Sequence, residues 1–293
     1  MNKPTTFVAI FAAVLVLAGC AKNDSDSTTG QDVSTPFGVV PETCVHQHPQ
    51  GTQLENTEDG VKATHLDSTT TDHPAQPECE AEVQDSINIS QEWFNSAGWF
   101  PPQDIAKFTG TYIVPENPTN TSNQTLFYFI GIEDRSQSSP LTILQPVLTY
   151  NAQGWSLSSW NCCPSGQSHQ SNTLTGIQPG DTIVATIEKL SGVSDTTRYT
   201  ITGEWKGQQA SLTVDTGGEA FNWADVTLEV YSIDACDEFA VGPMTFSNLT
   251  IVGIDGSIMT PDWELSPGGG ATECNGQLTV DGSTITIQEN INP

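Results

Sequence analysis

From about residue 105 onward, apolar and polar positions alternate in short runs, each closed by Gly, Pro, Asn or Asp. Thr182-Ile183-Val184-Ala185-Thr186-Ile187 and Thr284-Ile285-Thr286-Ile287 show the two-residue period of half-buried strands. The pattern predicts strands at Thr109–Val114, Thr125–Ile132, Leu141–Tyr150, Trp155–Asn161, Thr182–Leu190 and Thr197–Trp205. It continues with Ala210–Asp215, Asp225–Ile233, Met244–Val252, Gly276–Val280 and Ser283–Gln288. Asp281-Gly282 between the last two is a hairpin signal, because a tight turn there needs a positive φ. No long segment has a 3.6-residue apolar period, and the one helix candidate is short, around Ser90–Ala97. Roughly ten strands without βαβ alternation define an all-β chain, an antiparallel sandwich or barrel.

The N-terminus has a different pattern. Lys3 precedes an apolar run from Phe7 to Ala18, too short for a spanning helix of about 20 residues. The run ends in Leu17-Ala18-Gly19-Cys20, the form of a lipobox. Residues 1–19 therefore read as a lipoprotein signal peptide, and Cys20 as the lipidation site, its acyl chains anchoring the protein to a membrane. Ala21 is not the Asp that retains lipoproteins in the inner membrane, so the expected location is the outer membrane of a bacterial envelope. Residues 20–36 are polar, without apolar period, and read as a flexible tether. Residues 37–90 hold few large apolar side chains and read as an irregular segment, a flap or pro-segment, ahead of a sandwich over 91–293.

Composition narrows the partners. The chain carries 8 Lys and Arg against 35 Asp and Glu, a net charge of −27. Such a surface repels phosphate backbones, so nucleic acid is not an expected partner. Of seven cysteines, Cys20 is used by lipid and six remain for an oxidising compartment. The expected bridges are Cys44–Cys79 and Cys236–Cys274, leaving Cys162 and Cys163 as a vicinal disulfide or with separate partners. No pair has CxxC spacing, so a cysteine zinc site is not expected. His46, His48, His65 and His73 crowd the irregular segment. His-x-His on a strand presents both rings on one face, but with no third ligand at a known spacing these read as solvated loop residues.

Six segments, in order, resemble one family. They are Phe108-Thr109-Gly110-Thr111-Tyr112-Ile113-Val114-Pro115, Phe129-Ile130-Gly131-Ile132-Glu133-Asp134 and Ile143-Leu144-Gln145-Pro146-Val147. They continue with Ile177-Gln178-Pro179-Gly180-Asp181-Thr182-Ile183, Asn222-Trp223-Ala224-Asp225-Val226-Thr227-Leu228-Glu229 and Gly242-Pro243-Met244-Thr245-Phe246-Ser247-Asn248. Together they resemble the glutamic peptidases, or eqolisins, over about residues 105–255. The resemblance implies a concanavalin-like, jelly-roll-like antiparallel β-sandwich, with the site on one open sheet face and no cofactor. The implied chemistry is acid endopeptidase hydrolysis, in which a carboxylate activates water and a glutamine amide stabilises the oxyanion. Gln145 matches the glutamine position.

The carboxylate departs from the family pattern. Asp225 falls on the family's first glutamate and Glu229 on its second. Both share one strand face but stand about 13 Å apart, so at most one can work with Gln145. The family's acidic, aromatic groove strand is replaced by Trp155-Ser156-Leu157-Ser158-Ser159-Trp160-Asn161-Cys162-Cys163-Pro164. Trp155 and Trp160 are five apart and face opposite ways on a regular strand, one to the core and one as a platform. Trp160 and Asn161 are the expected substrate contacts. No Gly-x-Ser-x-Gly elbow, HExxH or phosphate-binding glycine loop is present. Two rivals to hydrolysis of an extracellular polypeptide are a catalytically inactive module gripping glycan or peptide through Trp160, and a structural envelope lipoprotein. Fold alone does not choose among them.

Overall fold

The computed structural model describes residues 32–57, 59–76, 78–79, 93–135, 142–190, 198–267, 274 and 276–289. The expected signal peptide, Cys20 and most of the expected tether lie outside the described residues. The strands are β1 (Asp32–Thr35), β2 (Gly38–Pro41), β3 (Val45–Gln47), β4 (Thr52–Thr57), β5 (Gly60–Thr64) and β6 (Thr70–Pro74). Next come β7 (Trp93–Trp99), β8 (Ile105–Ile113), β9 (Thr125–Glu133), β10 (Ile143–Asn151), β11 (Gly154–Cys162), β12 (Ser168–Gln170) and β13 (Leu174–Ile177). Then follow β14 (Thr182–Lys189), β15 (Arg198–Trp205), β16 (Gln208–Asp215), β17 (Trp223–Tyr231) and β18 (Met244–Gly253). Four short strands close the series: β19 (Ile258–Met259), β20 (Glu264–Pro267), β21 (Gln277–Asp281) and β22 (Thr284–Gln288).

Twenty of them form two packed sheets, the all-β sandwich expected from the pattern, while β1 and β2 pair only with each other. The front sheet runs β20-β7-β17-β9-β10-β11-β12-β3, with β13 beside β11. The back sheet runs β21-β22-β18-β8-β14-β15-β16-β4-β5-β6, with β19 beside β18. Leu144, Leu148, Tyr128, Ile130 and Leu228 from the front meet Phe108, Tyr112, Ile183, Ile201 and Phe246 from the back in one buried core. The eleven strands read from alternation are all present. The last hairpin turns through Gly282, at φ +57°, and Ser283.

Three expectations change. Ser90–Ala97 is not a helix start: its described part lies in strand β7, paired with β17 and β20. Segment 37–90 is not irregular where it is described. Strand β3 extends the front sheet beside β12, and β4 extends the back sheet beside β16, both in parallel. An edge strand needs only a thin apolar side, which Leu54, Val61 and Ala63 supply. These parallel pairs make the sandwich mixed rather than wholly antiparallel. The Cys44–Cys79 and Cys236–Cys274 bridges form as expected. Cys162 and Cys163, however, are free, buried thiols. Once the other four are bridged, each of these can reach only its neighbour. Adjacent Cα atoms lie closer than the roughly 4.4–6.8 Å that a disulfide usually spans.

One tyrosine joins the sheets beside Gln145. Pro146 has no N–H to donate toward Ile130 across the β9–β10 ladder. The Tyr112 hydroxyl, rising from the back sheet, fills the gap: it accepts from the Ile130 N–H at 2.9 Å and donates to the Pro146 carbonyl at 3.1 Å. Tyr112→Phe is expected to strand both backbone groups and cost about 2 kcal/mol. Urea unfolding with an unchanged m-value would measure this, and a loss under about 0.5 kcal/mol would contradict the account.

Candidate active site on the outer face of the front sheet

Side chains of the front sheet alternate between the inter-sheet core and an outer face. On β10 the outward residues include Ile143, Gln145 and Val147, and on β11 they include Ser158, Trp160 and Cys162. Ile143, Val147, Trp160 and Cys162 form, with Phe127 and Phe129 of β9, a separate apolar cluster on that face. Trp155 packs in the main core instead, so the two tryptophans do face opposite ways.

Register brings Gln145 and one carboxylate together. Residues of β9 and β10 pair as Leu144↔Ile132 and Val147↔Phe129, which places Gln145 opposite Gly131. Gly131 in turn pairs with Asp225 of β17. Gln145, Gly131 and Asp225 therefore form one row across three strands, with the outer Cα atoms about 10 Å apart. A glycine must stand in the middle: a Cβ at 131 would meet Asp225 Oδ2 at 2.6 Å. The Asp225 carboxyl lies over Gly131, between its own strand and the one that carries Gln145. Glu229 pairs with Phe127, four residues further along β17, and its carboxylate is engaged by the Tyr231 hydroxyl. It shares the face but not the row.

Asp225 is fully buried and hydrogen-bonded by Thr227 Oγ1 at 3.0 Å. Burial, and then the charge of Glu133, push its pKa well above the usual carboxylate range. Glu133 belongs to the same face, two residues beyond Gly131, and is salt-bridged to Arg135 at 2.6 Å. Asp225 Oδ2 and Glu133 Oε1 have no other hydrogen-bond partner among the described residues. Burial also raises the pKa of Glu133, against the lowering by Arg135, so the two neighbouring carboxyls oppose each other's ionisation.

A peptide segment covers the Gln145 end of the row. Hairpin β1–β2 turns through Pro36 and Phe37 above Gln145, whose Nε2 donates to the Pro36 carbonyl at 2.9 Å. Phe37 is buried in the outer-face apolar cluster. Beside it a cavity of about 510 Å³ runs between the hairpin and the sheet, lined by Val33, Thr35, Phe127, Ser158, Trp160 and Gln170.

Of the residues singled out from sequence, Gln145 and Asp225 share the row, Trp160 pairs with Gln145 and lines the cavity, and Glu229 stands apart along β17. Asn161 does not contribute. It pairs with Leu144 and His169 and so faces between the sheets, where neither end of its amide has a partner among the described residues. The strand period already implies that Trp160 and Asn161 point opposite ways. Gly131, Glu133, Thr227, Pro36 and Phe37 were not anticipated. The i, i+2 spacing of Gly131 and Glu133 was readable, but their meeting with Asp225 depends on register.

The fold is a glutamic-peptidase-like β-sandwich. Two crystal structures of scytalido-glutamic peptidase carry the same fold. One holds a peptide-based transition-state analog, with a TM-score of 0.53 and 17% identity. The other holds a transition-state analog inhibitor, with a TM-score of 0.50 and 18% identity. Each match covers 68% of this chain and 98% of the peptidase. No protein-family profile matches the chain, and no curated protein matches it in sequence.

Proposed function

We propose that this protein is a lipid-anchored, extracytoplasmic glutamic-peptidase-like hydrolase of polypeptides, with Gln145 and Asp225 as its catalytic dyad. The lipobox at Cys20 supports anchoring, and the glutamic-peptidase-like fold supports the reaction class. The single observation that carries the reading is that Gln145 already holds a peptide carbonyl, that of Pro36, in the row it shares with Asp225. A substrate carbonyl taking that position would receive the same hydrogen bond, which shortens as the oxygen gains charge.

Catalysis then needs Asp225 ionised. Hydration of the face during substrate entry weakens the burial that raises its pKa. The carboxylate takes a proton from water as the oxygen attacks the carbonyl carbon, and Gln145 Nε2 stabilises the oxyanion. Asp225 returns the proton to the leaving amine as the C–N bond breaks, giving a free carboxylate and an amine. Aspartate is a methylene shorter than the family's glutamate, and the absent side chain at Gly131 lets the water lie closer to it. Trp160, opposite Gln145 on β11, offers a platform for a substrate side chain.

The test is incubation of the hairpin-deleted protein, lacking residues 32–41, with an unfolded protein between pH 2 and 7. Gln145→Ala and Asp225→Asn are each expected to lower cleavage by at least 100-fold, whereas Glu229→Gln stays within fivefold. Cleavage that survives both of the first two substitutions rules out the dyad, and no cleavage by the parent protein at any pH rules out the hydrolase.

A further inference from the structure

All five histidines of the chain gather at one edge of the sandwich, far along the front sheet from Asp225. His46 and His169 are register partners on β3 and β12, and their inward face is the one Asn161 shares. His48 follows on the same side and continues the ladder, its N–H bonding Gln170 O at 2.8 Å. His73 comes from the other sheet, on edge strand β6, where it pairs with core residue Val61. The ring centroids of His46, His48, His73 and His169 lie close together: 4.2 Å for His46–His73, 5.1 Å for His46–His169, 5.2 Å for His48–His73 and His48–His169, and 5.4 Å for His73–His169. The expectation of solvated loop histidines fails, because the fold supplies the missing partners from β6 and β12.

The polar atoms of this cluster are poorly served by protein alone. His169 is fully buried, with Nδ1 as the ring nitrogen turned to its neighbours, and the buried His73 Nε2 has no hydrogen-bond partner among the described residues. His48 Nε2 and His169 Nδ1 face each other at 3.0 Å. Two nitrogens on a tetrahedral ion at about 2.0–2.1 Å stand about 3.3 Å apart, so an ion in place of the shared proton needs only a small ring movement. His46 is oriented as ligating histidines commonly are: Nε2–H donates to Gln167 Oε1 at 2.6 Å, which leaves Nδ1 its lone pair. Gln167 is itself fixed by donating to the Pro74 carbonyl at 2.7 Å, next to His73. As the rings stand, no three His, Cys, Asp or Glu donors among the described residues are already poised around one point.

We propose that His46, His48, His73 and His169 bind one divalent first-row transition ion that prefers imidazole, such as Zn²⁺, and that the ion clamps β3 and β12 of the front sheet to β6 of the back sheet. Imidazole ligates through the lone pair of its neutral form. Four neutral ligands leave the ion its double positive charge, which suits a chain of net charge −27. His65 is set apart: it is held by Thr52 at 3.0 Å and Thr71 at 3.3 Å, and its ring is 6.3 Å from that of His48. The proposal does not depend on hydrolytic activity.

The experiment uses chelator-stripped mature protein, titrated with Zn²⁺ by calorimetry and with Co²⁺ by visible absorption. One ion per chain is expected, with the intense visible bands of tetrahedral Co²⁺. His73→Ala and His169→Asn should each weaken Zn²⁺ binding at least 100-fold, and His65→Ala should stay within threefold. His73 lies on an edge strand and is half-buried, so its variant tests the site even if the buried His169 variant does not fold. Zn²⁺ binding equal in wild type and His73→Ala, or an octahedral Co²⁺ spectrum, would overturn the assignment.

Discussion

Phe37→Ala is expected to raise cleavage of an unfolded polypeptide by about 100-fold at fixed pH. Phe37 is the apolar anchor of the hairpin above Gln145, buried among Phe127, Phe129, Trp160 and Cys162. Truncating a buried phenylalanine costs about 3–5 kcal/mol. Strands β1 and β2 pair only with each other, and an isolated two-stranded hairpin has little stability of its own. The loss therefore falls almost wholly on hairpin docking and not on the sandwich. At about 1.4 kcal/mol per tenfold, a loss of 3 kcal/mol multiplies the open population by roughly 100, until opening is complete. Hydrogen exchange over residues 32–41 should accelerate by the same factor while the β9 and β10 amides stay protected. The double variant with Gln145→Ala should exchange quickly yet remain inactive. If exchange speeds up and cleavage by the single variant does not, the hairpin is no inhibitor.

The second large effect is on stability and lies between the sheets. Glu289 follows β22 and is almost wholly buried, with Asn95 Nδ2 donating to its Oε1 at 2.5 Å. Burial pushes its pKa up to about 7 from 4.5. A carboxyl whose pKa is raised on folding is neutral in both states well below pH 4.5. As pH rises through 4.5 the unfolded chain ionises first, and stability falls until the folded group ionises near 7. At about 1.36 kcal/mol per unit, the buried acid costs about 3 kcal/mol at pH 8. Glu289→Gln removes that cost, because an amide stays neutral, and its NH₂ can meet Asn95 Oδ1, which has no partner among the described residues. The expected result is a Tm about 6–10 °C higher than wild type at pH 8 and an unchanged Tm at pH 4. An equal shift at both pH values would show that packing, not ionisation, is responsible. Glu219, raised to about 7 by burial, acts in the same direction with a smaller effect because it is partly exposed.

How far the sequence carried can be judged from particular strands. Alternation located β14 and β22 because each has one wet and one dry face. It missed β7, which is covered on nearly every residue; Trp93-Phe94-Asn95-Ser96-Ala97-Gly98-Trp99 therefore shows no period at all. It missed β4 to β6 for the opposite reason. These strands pack a single narrow side, and β6 is exposed at four of its five residues. Gln145 was legible from the resemblance of its segment. Asp225 and Glu229 have the same parity, so no local pattern separates them; only the pairing of β17 with β9 does, through Gly131. The histidine cluster was half visible as His-x-His. Its other members come from β12 and from the opposite sheet, which no spacing rule anticipates.

Strands β3 and β4 pair in parallel with β12 and β16, partners made more than a hundred residues later in the chain. The earliest-made part of the sandwich is thus the last able to dock, since both of its berths must first exist. Assembly should run from the middle of the chain outward. The groove beneath Phe37 would then be complete, and open, for an interval before the amino-terminal turn settles over it, so a newborn molecule passes through an uncapped stage that the finished one leaves behind.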